Sequence, residues 1–104
     1  MTRLQHLLQL HEAAPTDTFL LFALAKEHEK TEDDANALAF YLLLRRTDPR
    51  YVGLYYHLGK LYERMQRIGE AVEAYRAGIE VSKQVGDRHA QSELSGALLE
   101  WEDL

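Results

Sequence analysis

The sequence predicts an all-α fold built from a repeated helical hairpin. Leucines and aromatics recur at intervals of three and four residues, the spacing of one helix face. A block of the chain also recurs further along, at the same separation that divides Pro15 from Pro49. At 104 residues the chain is one domain by length, and stacked helices give a chain this short a continuous core.

The elements follow in order. Leu4, Leu7, Leu8 and Leu10 form a stripe over Thr2 to Ala13, and Pro15 stops that helix after a short tail. Thr16 or Asp17 is placed to cap a second helix, which Phe19, Leu20, Phe22, Ala23, Leu24 and Lys26 carry to about Lys30. A polar turn, Thr31 to Asp34, leads into a third helix over Ala35 to Arg46, capped by Asp33 or Asp34. Acids at its positive end and Arg45 and Arg46 at its negative end suit the helix dipole. Asp48-Pro49 closes the pair. A fourth helix is expected over Tyr51 to Met65 and a fifth from Ile68 to about Gln84, with Gly86 placed to turn left-handed after it. Asp87 then caps a sixth helix, whose Ala90, Leu94, Ala97, Leu98 and Trp101 make one amphipathic face.

Shifting the chain by the separation of the two prolines lays Leu20, Leu24, Lys26, Glu29, Ala37 and Tyr41 on Leu54, Leu58, Lys60, Glu63, Ala71 and Tyr75. Near matches join them: Phe22 with Tyr56, Ala25 with Gly59, Lys30 with Arg64, Leu38 with Val72. The same register makes the first helix the second half of an earlier, truncated repeat, with Leu7 and Leu10 on core positions. Gly59 and Ala25 leave no bulk where two helices cross, Ala71 and Ala37 accept a facing aromatic, and Tyr75 and Tyr41 are expected to fill the gap between hairpins.

Tyr55, Leu58, Gly59 and Tyr62, followed by Ala71 and Tyr75, resemble the tetratricopeptide repeat: aromatic, Leu-Gly and aromatic on one helix, then small-x-x-x-aromatic on the next. The period matches that family's repeat of about 34 residues. The chain is similar to a small tetratricopeptide repeat protein of bacterial type. The resemblance covers 51–82 best, 16–49 less closely, and the two ends by inference. It implies a right-handed solenoid segment forming a single domain over 1–104: a half-repeat helix (1–14), two repeats (16–49 and 50–85) and a capping helix (87–104). Departures are Leu21 and His28 where the family favours aromatics, Arg45 where it favours an aliphatic, and Lys83 in place of a proline.

The resemblance implies a scaffold that binds a protein or peptide on a concave face lined by the first helix of each repeat. In that register the face presents Phe19, Phe22, Lys26 and Glu29, then Tyr56, His57, Lys60, Glu63 and Arg64. Phe22 and Tyr56 are the expected anchors, Lys26, Lys60 and Arg64 would meet carboxylates, and His57 would add a hydrogen bond or a pH-dependent contact. The competing reading is that duplication copied an ordinary solvated face. The carboxylate clamp of the repeats that hold chaperone tails is absent, because Phe22, Lys26, His57, Asp87 and Gln91 occupy its places. A second candidate surface lies on the third helix. Leu38, Tyr41 and Leu44 form its core stripe, yet Ala39, Phe40, Leu42 and Leu43 fall around the rest of the circumference. Leu42 and Leu43 are therefore candidates for self-association as a homodimer, against the alternatives of scattered exposed leucines or contacts with the first helix.

Other chemistry is missing from the sequence. Twelve basic against 17 acidic residues give a net charge of −5, and the interleaved signs form no basic stripe for nucleic acid. There is no cysteine, hence no thiolate nucleophile and no disulfide; this fits a reducing, cytoplasmic setting. The longest uncharged apolar run, Ala35 to Leu44, is ten residues, about half a membrane span, and no export signal is read at the N-terminus. The histidines at 6, 11, 28, 57 and 89 lack metal-binding spacing. No phosphate loop or nucleophile elbow occurs. The expectation is a binding protein without cofactor or metal, not an enzyme.

Overall fold

The computed structural model describes residues 1–102; Asp103 and Leu104, the end of the range expected for the capping helix, lie outside the described residues. Six helices follow one another: α1 (Arg3–Ala13), α2 (Thr18–Lys30), α3 (Asp34–Thr47), α4 (Gly53–Arg64), α5 (Ile68–Val85) and α6 (Arg88–Glu102). No strand occurs among the described residues. Contacts divide the chain after Pro49 into two compact units of three helices each.

Short polar side chains start four of the helices. The Thr2 hydroxyl accepts the Gln5 N–H at 3.1 Å while the Gln5 side chain accepts the Thr2 N–H at 2.9 Å, a reciprocal capping box. Asp17, Asp33 and Asp87 accept the N–H groups of Leu20, Asn36 and Ala90 at 3.1, 3.2 and 2.9 Å. Each cap satisfies a donor that the helix leaves orphaned, a contribution of about 1 kcal/mol. No side chain caps α4, and it starts two residues later than the apolar pattern suggests. Tyr51 and Val52 instead form a tight turn, accepting from Leu54 and Tyr55 at 3.3 and 3.4 Å.

Three helix ends share one geometry. After α2, Glu32 N–H donates to the Glu29 carbonyl and Asp33 N–H to that of His28; after α4, Gln66 and Arg67 repeat this onto Glu63 and Tyr62; after α5, Gly86 and Asp87 repeat it onto Lys83 and Ser82. The residue that turns has positive φ each time: Glu32 at 60°, Gln66 at 63° and Gly86 at 75°. The left-handed turn satisfies carbonyls that would otherwise be orphaned.

In the first unit α2 packs on both α1 and α3. Leu21, Leu24, Ala25, Ala37, Tyr41 and Leu44 are fully buried. A second cluster, Leu7 with Leu20, Ala23 and Leu24, takes Leu4, Ala14 and Phe40 against it. Phe40 stacks on the His28 ring at 5.5 Å and meets the His11 ring edge-on at 5.6 Å. This accounts for part of the apolar circumference of α3, because Phe40 faces α1 and α2. The expectation for Leu10 is corrected: it is 44% exposed, whereas Leu7 is buried. Its counterpart one repeat further along, Leu44, is fully buried.

In the second unit α5 packs on α4 and α6. Leu54, Tyr55, Leu58, Leu61, Tyr62, Ala71, Ala74 and Tyr75 are buried with Leu94, Ala97 and Leu98 of α6. Gly59 lies directly under the Tyr75 ring, so a Cβ there would overlap the ring. Gly78 makes a second close approach, since its Cβ would stand 2.5 Å from Cβ of Tyr55 and 3.0 Å from Leu94.

Candidate functional site

On α2 the spacing of Phe19, Phe22, Lys26 and Lys30 places four side chains along one face. That face borders an open cleft of about 570 Å³, also lined by Ala23, Glu27 and Glu29 and by Arg3 from the start of α1. Phe19 is 66% exposed, an unusual position for so large an apolar side chain. Phe22 is half-buried and meets the Tyr41 ring edge-on at 6.2 Å. Arg3 reaches Glu27 at 3.3 Å and ties α1 to α2.

Charges on this face are held from beneath. The Tyr41 hydroxyl donates to Glu29, and Lys26 lies 3.7 Å from the same carboxylate. The second unit repeats the arrangement in register: the Tyr75 hydroxyl donates to Glu63, and Lys60 lies 3.6 Å from it. Burial, and then the hydrogen bond to Glu63, push the Tyr75 phenol well above its ordinary range. The tyrosine therefore stays protonated as a donor. Each glutamate in turn stands beside a lysine on an exposed or half-exposed face.

On α4 the half-buried Tyr56, His57 and Lys60 form one group. The rings of Tyr56 and His57 meet edge-on at 5.8 Å, and the Lys60 ammonium stands 5.6 Å from the centre of the Tyr56 ring, within cation–π range. Tyr56 also leans on Tyr75 at 6.5 Å. Arg64 is exposed one turn beyond Lys60. The sequence-predicted residues thus fall into two groups: Phe19, Phe22 and Lys26 at the α2 cleft, and Tyr56, His57 and Lys60 on α4, with Arg64 beyond. On α3, Leu42 and Leu43 are both half-buried.

Sequence reasoning missed Arg3, Ala23, Glu27 and Lys30 as cleft residues. Lys30 was within reach of it, because the repeat register pairs it with Arg64. Arg3 and Glu27 were not, since no local spacing announces a contact between residues so far apart. Among the described residues no group of three His, Cys, Asp or Glu side chains could hold a metal ion. No described helix is long and apolar enough to cross a membrane.

A family model described as the tetratricopeptide repeat matches residues 52–85. Among solved structures, the crystal structure of a tetratricopeptide repeat domain protein from Salinibacter ruber is 49% identical, with a TM-score of 0.79; the match covers 85% of this chain and 98% of that one. A solution NMR structure of a tetratricopeptide repeat domain protein from Salinibacter ruber is likewise 49% identical, with a TM-score of 0.82 and coverage of 86% and 91%. Among curated proteins nothing matches.

Proposed function

The chain belongs to the tetratricopeptide repeat family, and we propose that it is an interaction scaffold that captures a protein or peptide segment, with the exposed face of α2 in the first unit and that of α4 in the second each taken as a binding surface by itself. Tetratricopeptide repeats generally mediate protein–protein interaction. The observation that carries the reading is the repeated surface group, in which an aromatic is followed one turn later by a lysine held through glutamate to a buried tyrosine. Phe22 and Tyr56 serve as anchors, Lys26, Lys60 and Arg64 orient acidic groups, and His57 supplies a hydrogen bond. A reducing, cytoplasmic setting suits a chain without cysteine.

A peptide array probed with the protein and with two double variants tests this, one Phe22→Ala with Lys26→Glu, the other Tyr56→Ala with Lys60→Glu. At least one double variant is expected to lose capture while its circular dichroism stays helical. Capture unchanged in both would overturn the assignment of these faces.

A second reading, self-association through α3, is favoured by Leu42 and Leu43 remaining partly exposed although Phe40 on the same helix is packed against a core cluster. Light scattering across a dilution series decides it. Leu42→Glu should turn a dimer into a monomer; a wild-type protein that is already monomeric rules this reading out.

A further inference from the structure

The residues that line the cleft beside α2 are only partly repeated in register on α4. The second repeat has Gly53 at the place of Phe19 and Leu61 at the place of Glu27. The exposed aromatic and the acid that anchors Arg3 are therefore peculiar to the first unit.

The charges of this cleft do not cancel. Glu27 is engaged by Arg3 at 3.3 Å, and Glu29 by Lys26 and the Tyr41 hydroxyl. Lys30 lines the cleft without a carboxylate partner among the described residues. The cleft thus has an apolar end at Phe19 and Phe22 and a cationic end at Lys30. From Phe22 to Lys30 the helix rises roughly 12 Å at 1.5 Å per residue. An extended peptide covers that distance in about three to four residues at roughly 3.3 Å each.

The geometry points to an extended peptide with two determinants as the occupant: a large apolar side chain against Phe19 and Phe22, and an acidic side chain about three to four residues away that meets Lys30. This rests on the peptide-capture reading above and adds the composition and spacing of the ligand. Affinity comes from burying the anchor on the two phenylalanines. Selectivity comes from the carboxylate, because a basic residue at its place would face an unpaired cation.

Fluorescein-labelled peptides carrying one tryptophan and one glutamate test the inference by anisotropy, with Gly-Ser spacers from none to about six residues and in both sequence orders. Binding is expected to be tightest where the spacer sets the two side chains about three to four residues apart. Lys30→Glu should weaken that probe about tenfold, and the same peptide with lysine for glutamate should bind Lys30→Glu better than it binds the unaltered protein. Phe19→Gly, which installs the residue of the second repeat, should weaken every probe. Both positions are exposed, so both variants should retain full helicity. Affinity independent of spacer length, wild-type binding by both variants, or no binding of any probe would overturn the inference. If the arrayed peptides are still captured in that case, the interaction reading stands and only the two-determinant ligand falls; if no arrayed peptide is captured, both fall.

Discussion

Where the first hairpin has Ala25 and Leu44, the second has Gly59 and Gly78 at the matching places one repeat further along. In the first, both side chains are present and both are fully buried. In the second, the backbone gives up its side chains so that the ring of Tyr75 can rest on Gly59, and Tyr55 and Leu94 can close on Gly78. A different filling of one frame thus admits α6 against α5. The turns differ in a similar way. Asp33 caps α3 and binds the Asn36 amide at 2.7 Å, whereas Arg67 grips Glu70 through two hydrogen bonds of 2.6 and 2.7 Å and lies 5.0 Å over the Tyr62 ring. The register preserves geometry and leaves the chemistry free, so matching positions need not be interchangeable.

Exchanging the fillers is the strongest way to break the comparison. Leu44→Gly should cost about 4 kcal/mol or more, the sum of a cavity and a helix glycine. Gly78→Leu should cost about 3 kcal/mol by overpacking, with α6 released first. Urea unfolding measures both; a loss under about 1 kcal/mol in either would show that the frame adapts. The smaller exchange is also unequal, because Gly59→Ala meets the Tyr75 ring and should cost about 2 kcal/mol, while Ala25→Gly should cost about 1 kcal/mol.

The buried phenol offers a test through pH. Because the pKa of Tyr75 is raised in the folded state, the native protein holds a proton that the unfolded chain releases. Its contribution is complete below the ordinary tyrosine value of about 10 and is lost as pH rises above it. Tyr75→Phe should lower stability at neutral pH by about 1 kcal/mol and make the alkaline decline shallower. An unchanged alkaline limb, followed by circular dichroism, would show that this phenol does not control it.

The turns provide smaller effects. Glu32 and Gln66 hold the left-handed conformation that Gly86 adopts at the corresponding helix end. Gln66→Gly and Glu32→Gly should each stabilise by up to about 1 kcal/mol, relief of αL strain outweighing the entropy of glycine; melting-point shifts measure this, and a fall in either would mean that the side chain matters more than the backbone. Asp33 is the smallest case. Hydrogen bonds from the Asn36 side chain and backbone hold its carboxyl below the ordinary value, so its stabilisation is present above the ordinary carboxylate range and is lost as pH falls through the lowered value. Asp33→Asn should flatten the acid limb slightly, without touching the alkaline one.

Much of the local structure was legible because local rules govern it. Pro15 and Pro49 punctuate the chain, Asp17, Asp33 and Asp87 cap helices, and Gly86 takes the left-handed turn. The paired Ala37 and Ala71 and the paired Tyr41 and Tyr75 are all buried, in keeping with the repeat. Glu29 and Glu63 were visible as repeated surface acids, but nothing in their spacing said that the tyrosine hydroxyls would reach them from beneath. The left-handed Glu32 and Gln66 carried no glycine to announce them. Leu10 sits at a core position in register and is exposed because burial requires a neighbour, which periodicity cannot supply.

The sequence by itself determined the helices, most of their ends, the repeat register and the family, since these depend on hydrogen bonding and side-chain periodicity within short stretches. Tertiary structure decided which side chains meet across helices: Arg3 with Glu27, Tyr41 with Glu29, Tyr75 with Glu63, and Gly78 beneath Tyr55 and Leu94. Those contacts depend on how closely two helices approach, and that distance is set by the packing of all their side chains together.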